Sequence, residues 1–202
     1  MLITIGLSMR GQWLPERKEY RDCLDRRWAS FMQDVVPECQ WLLLPSLGET
    51  TLQYALDMGI NGLVFTGGDD VGTDKARDVS EQVLFAEAVK QAWPVLGICR
   101  GMQVLNLMAG GTLCKLENHA GSCHQVHTDD EVFTVNSYHT NGIDRAGLAA
   151  DYSTLATSDS GVFIEAFRGL NILGLMWHPE HEPLQSAITK KWIRELFLGE
   201  KA

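Results

Sequence analysis

The first half of the chain alternates apolar segments with segments of helical periodicity, and this alternation constrains the fold more than any other feature. Segments typical of β-strands lie at Leu2–Leu7, Trp41–Leu44, Gly62–Thr66 and Pro94–Ile98. Helical spacing is seen at Tyr20–Val35, Thr50–Met58, Ser80–Ala92 and from Cys99 to Gly110. Asp78 or Ser80 is predicted to cap the third of these helices. Such alternation predicts βαβ units, and therefore a mostly parallel sheet with helices on both faces.

The second half of the chain has closely spaced strand-like segments instead. They read EVFTV, VFIEAF and ILGLMW and lie at Glu131–Val135, Val162–Phe167 and Ile172–Trp177. We expect some of these strands to be antiparallel. A final amphipathic helix is predicted from apolar residues in phase, namely Leu184, Ile188, Trp192, Leu196 and Phe197. The expected fold class is therefore α/β, with antiparallel strands added to the sheet in the second half.

Composition and length limit the classes of protein and partner. Without repeats, low-complexity segments or linkers, 202 residues suit one domain, which we place at residues 1–202. The net charge of −9 argues against nucleic acid as a partner. A membrane span needs about 18 consecutive apolar residues, and no apolar run in the sequence is that long. The apolar N-terminal segment is not preceded by the basic residues that are typical of a signal peptide. Five scattered cysteines, an odd number, indicate reduced thiols, so we expect a cytoplasmic protein without a membrane partner.

Cys99 stands in the stretch VLGICRGMQVLN, between the predicted fourth strand and the helix that follows it. A nucleophile flanked by glycines at a strand-to-helix corner is the pattern of a nucleophile elbow, where Gly97 and Gly101 would let the backbone turn. The positive end of the helix dipole would favour the thiolate there. The alternative is a small buried hydrophobic residue. The glycines on both sides favour the nucleophile.

A thiolate nucleophile needs a proton shuttle, and one histidine has the better surroundings. The candidates are His119, His124, His127, His139, His178 and His181. His178 ends an apolar strand, Pro179 fixes the direction of the chain after it, and Glu180 is placed to orient the imidazole. The alternative is a loop histidine beside an unrelated surface carboxylate.

The stretch TGGDD (Thr66–Asp70) follows the third predicted strand and supplies candidate donors for an oxyanion. Glycine lets the backbone approach closely, so Gly67-Gly68 could present one N–H, and the N–H of Arg100 directly follows the nucleophile. The alternative for TGGDD alone is a plain turn before a helix. Carboxyl ends of parallel strands share one edge of a sheet, so these loops are expected to meet there.

The stretches FTGGDD, LGICRGMQVLN and MWHPE, in this order, resemble those of class I glutamine amidotransferase-like enzymes, and more narrowly the γ-glutamyl hydrolase (peptidase C26-type) branch. RDVSE, the Gly110-Gly111 pair, VNSYH and GVFIEAF also match that branch. The resemblance covers nearly the whole chain. It implies a flavodoxin-like three-layer α/β/α fold.

The resemblance also implies a set of site residues and a chemistry. The implied catalytic triad is Cys99, His178 and Glu180, and the implied oxyanion hole consists of the Gly68 and Arg100 amides. Residues implied near the glutamyl group are Gln103, Ser137, Tyr138 and His139. The implied reaction cleaves a γ-glutamyl C–N bond through a thioester and releases glutamate, and it needs no metal and no organic cofactor.

YRDCLDRRW and the MWHPEHEP ending resemble a compact branch that includes γ-glutamyl-CDP-amidate hydrolases of capsule phosphoramidate synthesis. The predicted loop after the first strand, Ser8–Glu19, is basic, and guanidinium groups pair with diphosphate oxygens. We therefore expect Arg10 and Arg17 to contact a nucleotide-linked substrate, with Trp13 available to stack on a base. The alternative is a solvated loop and helix face.

Several alternatives stay open at this point. The chain could be a γ-glutamyl-GABA or other γ-glutamyl-amine hydrolase, a glutaminase subunit that passes ammonia to a synthase, or a non-enzymatic binding module. Asp69 and Asp70 are expected to shape their loop or bind the substrate's α-ammonium group. A structural charge network is expected of Arg77, Asp78 and Glu81.

The stretch HAGSCHQVH has metal-binding residue types, but its spacing matches no structural zinc site closely, so no metal is expected there. These residues are His119, Cys123, His124 and His127. The expected partner is a small γ-glutamyl molecule. The sequence leaves its leaving group and the oligomeric state open.

Overall fold

The computed structural model describes residues 2–116, 121–181 and 187–200. Its strands are β1 (Thr4–Ser8), β2 (Arg10–Leu14), β3 (Glu19–Cys23), β4 (Gln40–Leu44), β5 (Gly62–Phe65), β6 (Val95–Ile98), β7 (Cys114–Lys115), β8 (Ser122–His127), β9 (Val132–Ser137), β10 (Asn141–Gly142), β11 (Ser153–Ser158), β12 (Ile164–Arg168) and β13 (Ile172–Leu175). Its α-helices are α1 (Arg27–Val35), α2 (Thr51–Asp57), α3 (Lys75–Gln91), α4 (Arg100–Met108) and α5 (Ala187–Leu198). Short 3₁₀ turns lie at Gly48–Thr50 and Pro179–His181.

A nine-stranded mixed sheet runs through the described residues in the order β4-β1-β5-β6-β13-β12-β11-β8-β9. Neighbouring strands from β4 to β13 are parallel, and the pairs from β13 onwards to β9 are antiparallel. The sequence prediction of a parallel sheet with antiparallel strands from the second half is thereby confirmed.

Helices cover both faces of the sheet, which gives the expected three layers. On one face, α1 and α5 pack their aromatic residues onto the sheet, for example Trp28 and Phe197. On the other face, α2, α3 and α4 contribute residues such as Leu84 and Leu105. Neighbouring residues of a strand point to opposite faces, so the buried run Gly62–Phe65 contributes to both cores.

The segment after β1 is the main correction to the sequence-based fold. It was expected to be a loop over Ser8–Glu19 followed by a helix from Tyr20, but β2 and β3 form an antiparallel hairpin and α1 begins only at Arg27. Trp13 and Tyr20 pair across the hairpin, with ring centroids 6.3 Å apart. Such cross-strand aromatic pairs stabilise hairpins, and the helical spacing of Tyr20 was therefore misleading.

Smaller differences concern a cap and two strands. The third helix starts five residues before Ser80, and its N-cap is Asp74, whose side chain accepts a hydrogen bond from the Arg77 N–H at 3.2 Å. The predicted caps Asp78 and Ser80 therefore lie inside α3. Strands β8 and β11 were not predicted, because SCHQVH and STLATS are largely polar. His119 and Leu184 lie outside the described residues.

None of the described helices combines the length and the apolar character that crossing a membrane requires. None of the five cysteines, all of which lie in the described residues, forms a disulfide.

Candidate active site

A cavity of about 310 Å³ lies at the carboxyl edge of the sheet, where three adjacent parallel strands end. The stretch Thr66–Asp69 after β5, Cys99 after β6 and His178 after β13 line it together. The strand order β5-β6-β13 brings these three distant parts of the sequence to one place. The expectation that the three loops meet is therefore met by the fold.

Cys99 occupies a strained corner between β6 and α4. Its backbone has φ 51° and ψ −108°, a conformation that costs a non-glycine residue about 1–3 kcal/mol. A Cβ added at Gly101 would overlap Phe65 O, and one at Gly97 would overlap the Gly101 backbone. Both glycines are therefore required for the turn. Helix α4 begins at Arg100, directly behind the thiol, and Cys99 is 6% exposed.

His178 is hydrogen-bonded to Glu180 and lines the same cavity as Cys99. Its Nδ1 lies 2.8 Å from Glu180 Oε1. Burial acts to lower the pKa of His178, but its interactions with Cys99 and Glu180 outweigh it and raise that pKa to about 10. The imidazole is therefore placed to remain protonated beside the sulfur across the neutral pH range.

The main chain of His178 is clamped by Asn136, a buried residue at the end of β9. Asn136 Oδ1 accepts from the His178 N–H at 2.9 Å, and Asn136 Nδ2 donates to His178 O at 2.9 Å. The sequence analysis quoted this residue within VNSYH without assigning it a contact. A single sequence carries no signal for such a clamp, because β9 and β13 are not neighbours in the sheet.

Gly67 and Gly68 lie between the imidazole and a buried charge network. A Cβ at Gly67 would overlap His178 Cε1, so glycine lets the loop approach the ring. Below the loop, Arg77 pairs with Glu81, and Glu81 is also bonded by Arg100. The network predicted for Arg77, Asp78 and Glu81 is therefore present, since Arg100 also pairs with Asp78.

The residues implied near the glutamyl group divide into one that lines the cavity and three that do not. Tyr138 lines the cavity and is 54% exposed. Ser137, Gln103 and His139 are buried. Gln103 Nε2 and His139 Nδ1 both bond Asn141 O, each at 3.0 Å, so they support the neighbouring loop. Gln103 is therefore not a surface residue of α4.

The two basic residues expected at the substrate occupy different places. Arg10, on β2, lines the cavity and pairs with Asp69 at 3.2 Å. Arg17 lies in the turn of the hairpin, 64% exposed, and is not brought to the cavity. Asp70 accepts from Asn141 Nδ2 at 2.8 Å and so shapes its loop.

Some residues that line the cavity, among them His181 and Asp25, were given no role from the sequence. His181 follows the His178-Pro179-Glu180 stretch, and its ring is tilted by 35° against that of His178, with ring centroids 5.0 Å apart. Burial lowers the pKa of His181, so its ring is neutral at neutral pH. Asp25, just before α1, lies 3.6 Å from His181 Nε2. The MWHPEHEP ending could have predicted this place for His181, because two histidines in one short turn line the same side of a cavity.

Metal-binding residue types also gather here. His178, Glu180 and His181 offer ligand atoms within 4.8 Å of one another, although the first two are already bonded to each other. The described members of the HAGSCHQVH stretch are separate: His124 lies 3.4 Å from Glu165, and His127 pairs with Asp159 at 2.8 Å. His119 lies outside the described residues.

The family model described as peptidase C26 matches residues 5–131 and 114–180. The chain belongs to the peptidase C26 family. It is 30% identical to a "Gamma-glutamyl-CDP-amidate hydrolase" of Campylobacter jejuni subsp. jejuni serotype O:2, over 88% of this chain and 90% of that protein. It is 22% identical to a "Gamma-glutamyl-gamma-aminobutyrate hydrolase" of Shigella flexneri, over 80% and 72% respectively.

The fold of this peptidase C26 member also matches a solved structure. A glutamine amidotransferase from Thermotoga maritima superposes with a TM-score of 0.66 at 16% identity, over 96% of this chain and 82% of that one. At this identity the likeness concerns the fold alone. Together, the family and its relatives support a γ-glutamyl hydrolase or glutamine amidotransferase-like function.

Proposed function

We propose that this protein is a cysteine-dependent hydrolase that cleaves a γ-glutamyl C–N bond and releases glutamate through a thioester. The observation that carries this proposal is that Cys99, His178 and Glu180 line one cavity, with Glu180 Oε1 2.8 Å from His178 Nδ1. A thiol beside a histidine that a carboxylate orients is the arrangement of an activated nucleophile. The raised pKa of His178 supplies the proton donor that an amine leaving group needs.

The proposed reaction has two halves. Cys99 Sγ attacks the γ-carbonyl carbon, and the N–H groups of Gly68 and Arg100 stabilise the oxyanion. The imidazolium of His178 gives its proton to the leaving nitrogen, the C–N bond breaks, and a thioester remains. Water then loses a proton to His178 and attacks the thioester, so that glutamate leaves and the thiolate is restored. None of these steps calls for a metal or an organic cofactor.

We place the glutamyl group between Tyr138 and Asp69, two exposed residues of the cavity. Asp69 carries the negative charge that an α-ammonium group needs. Gln103, Ser137 and His139 act in this proposal from behind the cavity, since they are buried and two of them hold the neighbouring Asn141 carbonyl.

For the leaving group, we propose cytidine diphosphoramidate, so that the substrate is γ-glutamyl-CDP-amidate. Support comes from the relative of that name, which matches most of both chains, and from Arg10 in the cavity. The hairpin adds Trp13 with 52% of its surface exposed, which would suit stacking on a base. A role in capsule phosphoramidate synthesis and a cytoplasmic location remain predictions of this proposal.

A γ-glutamyl amine is the second candidate, and one observation favours it. The cavity contains Asp25 and Asp69 as well as Arg10, and Arg10 is already paired. A diphosphate would have to replace Asp69 on Arg10 and lie near Asp25, whereas a neutral or cationic leaving group would meet no repulsion.

The experiment is a glutamate-release screen with purified protein. Glutamine, γ-glutamyl-GABA, γ-glutamyl peptides and γ-glutamyl-CDP-amidate are compared at equal concentration, with Cys99→Ala as the control for every substrate. Fastest release from γ-glutamyl-CDP-amidate supports the specific proposal, and fastest release from an amine conjugate supports the second candidate. Release of glutamate from glutamine only after a synthase protein is added would replace both by the glutaminase alternative.

A further inference from the structure

One buried arginine holds the glycine loop from the side opposite the cavity. Arg77 Nη1 donates to Gly67 O at 3.0 Å, and Arg77 Nη2 donates to Thr66 O at 2.6 Å. A guanidinium is a rigid planar fork, so the two hydrogen bonds together fix the planes of two consecutive peptides. Arg77 is only 2% exposed, and water therefore does not compete for these carbonyls.

These bonds decide where the amide hydrogen atoms of the loop point. In a trans peptide the C=O and the N–H point in opposite directions. Because Gly67 O faces Arg77, the N–H of Gly68 faces away from Arg77, on the cavity side of the loop. A Cβ at Gly68 would overlap Arg77 Nη1, so only glycine lets the loop lie this close to the guanidinium.

The same arginine is connected to the peptide that follows the thiol. Glu81 accepts from Arg77 Nε at 2.9 Å and from Arg100 Nη1 on its other oxygen. Burial acts to raise the pKa of Glu81, but Arg77 and Arg100 outweigh it and hold that pKa below its usual range. The carboxylate therefore stays charged and joins the loop after β5 to the start of α4.

We propose that Arg77 is a positioning residue of the oxyanion hole. It aims the Gly68 N–H into the cavity and, through Glu81, sets that N–H relative to the N–H of Arg100. This inference rests on the proposed acyl transfer at Cys99. Arg77 is not among the residues that line the cavity, so it acts on the reaction only through the peptides it holds. An oxyanion exists only in the tetrahedral states, and Arg77 therefore matters to acyl chemistry rather than to the reactivity of the thiol itself.

The test compares two reactions of Cys99 in the variant Arg77→Lys. Lysine keeps the positive charge beside Glu81 but has one ammonium in place of the fork, so it cannot hold both carbonyls. We expect kcat for glutamate release to fall about 10- to 100-fold, somewhat less than the about 100- to 1000-fold loss that removing an oxyanion donor causes. KM should change less than about twofold, because the ground state carries no oxyanion.

The second reaction is alkylation of Cys99 by iodoacetamide, a displacement at saturated carbon that forms no oxyanion. Its rate in Arg77→Lys should stay within about twofold of the wild type. The matched control is Arg194→Lys in α5, because Arg194 Nη1 also donates to a main-chain carbonyl, Val35 O at 2.8 Å, and also pairs with a carboxylate. Neither reaction should change in that control.

A crystal structure of Arg77→Lys decides the proposal independently of any substrate. A Gly67–Gly68 peptide that is rotated, or found in two orientations, supports it; a peptide in its wild-type orientation overturns it, whatever the kinetics. Equal falls in kcat and alkylation, or no change in either, also overturn it. The proposed function fails by a different result, a wild-type protein that releases no glutamate from any substrate.

If Arg77→Lys does not fold, Glu81→Gln takes its place. Glutamine keeps the size of the side chain but removes the charge that joins the two arginines. We expect a fall in kcat of about 3- to 10-fold with alkylation unchanged, and a change in the Gly67–Gly68 peptide of the same kind. An unchanged peptide together with unchanged kcat in the folded variant contradicts the proposal.

Discussion

The cavity has two walls that the fold holds in different ways. The chemical wall consists of the loops after β5, β6 and β13, and its residues are fixed by buried contacts, such as those of Asn136 with His178. The hairpin wall consists of β2, β3 and the residues up to Asp25, and it is a separate two-stranded sheet with exposed aromatic rings. In our proposal the chemistry takes place at the chemical wall, while the leaving group is recognised by the hairpin wall.

The largest effect is expected at the centre of the chemical wall. Cys99→Ala removes the atom that forms the thioester, and glutamate release should fall by about 10⁵-fold or more, as for other nucleophile deletions. The measurement is glutamate release under saturating substrate. Cys23→Ala is the matched control, since Cys23 lines the same cavity from the hairpin wall. Equal activity of the wild type and Cys99→Ala would show that the reaction does not take place at the chemical wall.

The second prediction concerns the chemical wall as well and tests the charge on His178. With its pKa at about 10, kcat/KM should fall above about pH 10, where the imidazolium loses the proton that the leaving group needs. Glu180→Gln removes the negative charge that helps to raise this pKa, so the alkaline limb should move to lower pH and kcat should fall about 10²- to 10⁴-fold.

The measurement for Glu180→Gln is a pH profile of kcat/KM. Asp159→Asn is the matched control, because Asp159 pairs with His127 outside the cavity. Its profile should coincide with that of the wild type. An alkaline limb that stays in place in Glu180→Gln would contradict the assigned role of His178.

A smaller loss of activity is expected for Asn136, which supports the chemical wall but does not line the cavity. Asn136→Ala removes both clamps on the His178 main chain, so kcat should fall about 10- to 100-fold and the free energy of unfolding by about 1–3 kcal/mol. The measurements are glutamate release and urea unfolding. Asn106 is a matched control, since its buried side chain also bonds main-chain groups, at Thr112, Gly147 and Ala149. Asn106→Ala should lose stability to a similar extent and keep its kcat.

The smallest effect is expected on the hairpin wall and should depend on the substrate. Arg10→Ala should lower kcat/KM for γ-glutamyl-CDP-amidate about tenfold more than it lowers kcat/KM for glutamine, because only the former carries a diphosphate. The measurement is the ratio of the two kcat/KM values. Arg17→Ala, in the exposed hairpin turn, should change this ratio less than twofold. An equal ratio in the wild type, Arg10→Ala and Arg17→Ala would contradict the proposal that the substrate carries a nucleotide.

The same difference between the walls explains what the sequence could predict. Cys99, Gly101 and the His178–Glu180 pair follow from local rules, namely glycine at a tight corner and a carboxylate two residues after a histidine. The strand alternation then predicted that their loops share one edge. The hairpin was missed because Tyr20 fits helical spacing as well as a cross-strand pair, and only the pairing with Trp13 decides between them.

The clamps could not be predicted for a different reason. Asn136 bonds a residue 42 positions away, and Arg77 reaches carbonyls that are 10 and 11 positions away, which no local pattern encodes. The burial of Gln103 could not be predicted either, because α4 is buried from Arg100 to Asn106 and has no solvated face in its first turns. That burial depends on the elements that pack around the helix and not on its own sequence pattern.

The measurement that tests the central claim most directly is intact-protein mass spectrometry of the wild type, quenched with acid during turnover of a γ-glutamyl substrate. The account predicts a mass gain of one glutamyl group, located on the peptide that contains Cys99 and reversed when turnover is complete. Rapid glutamate release with no such adduct at any quench time, or an adduct on another residue, would contradict it.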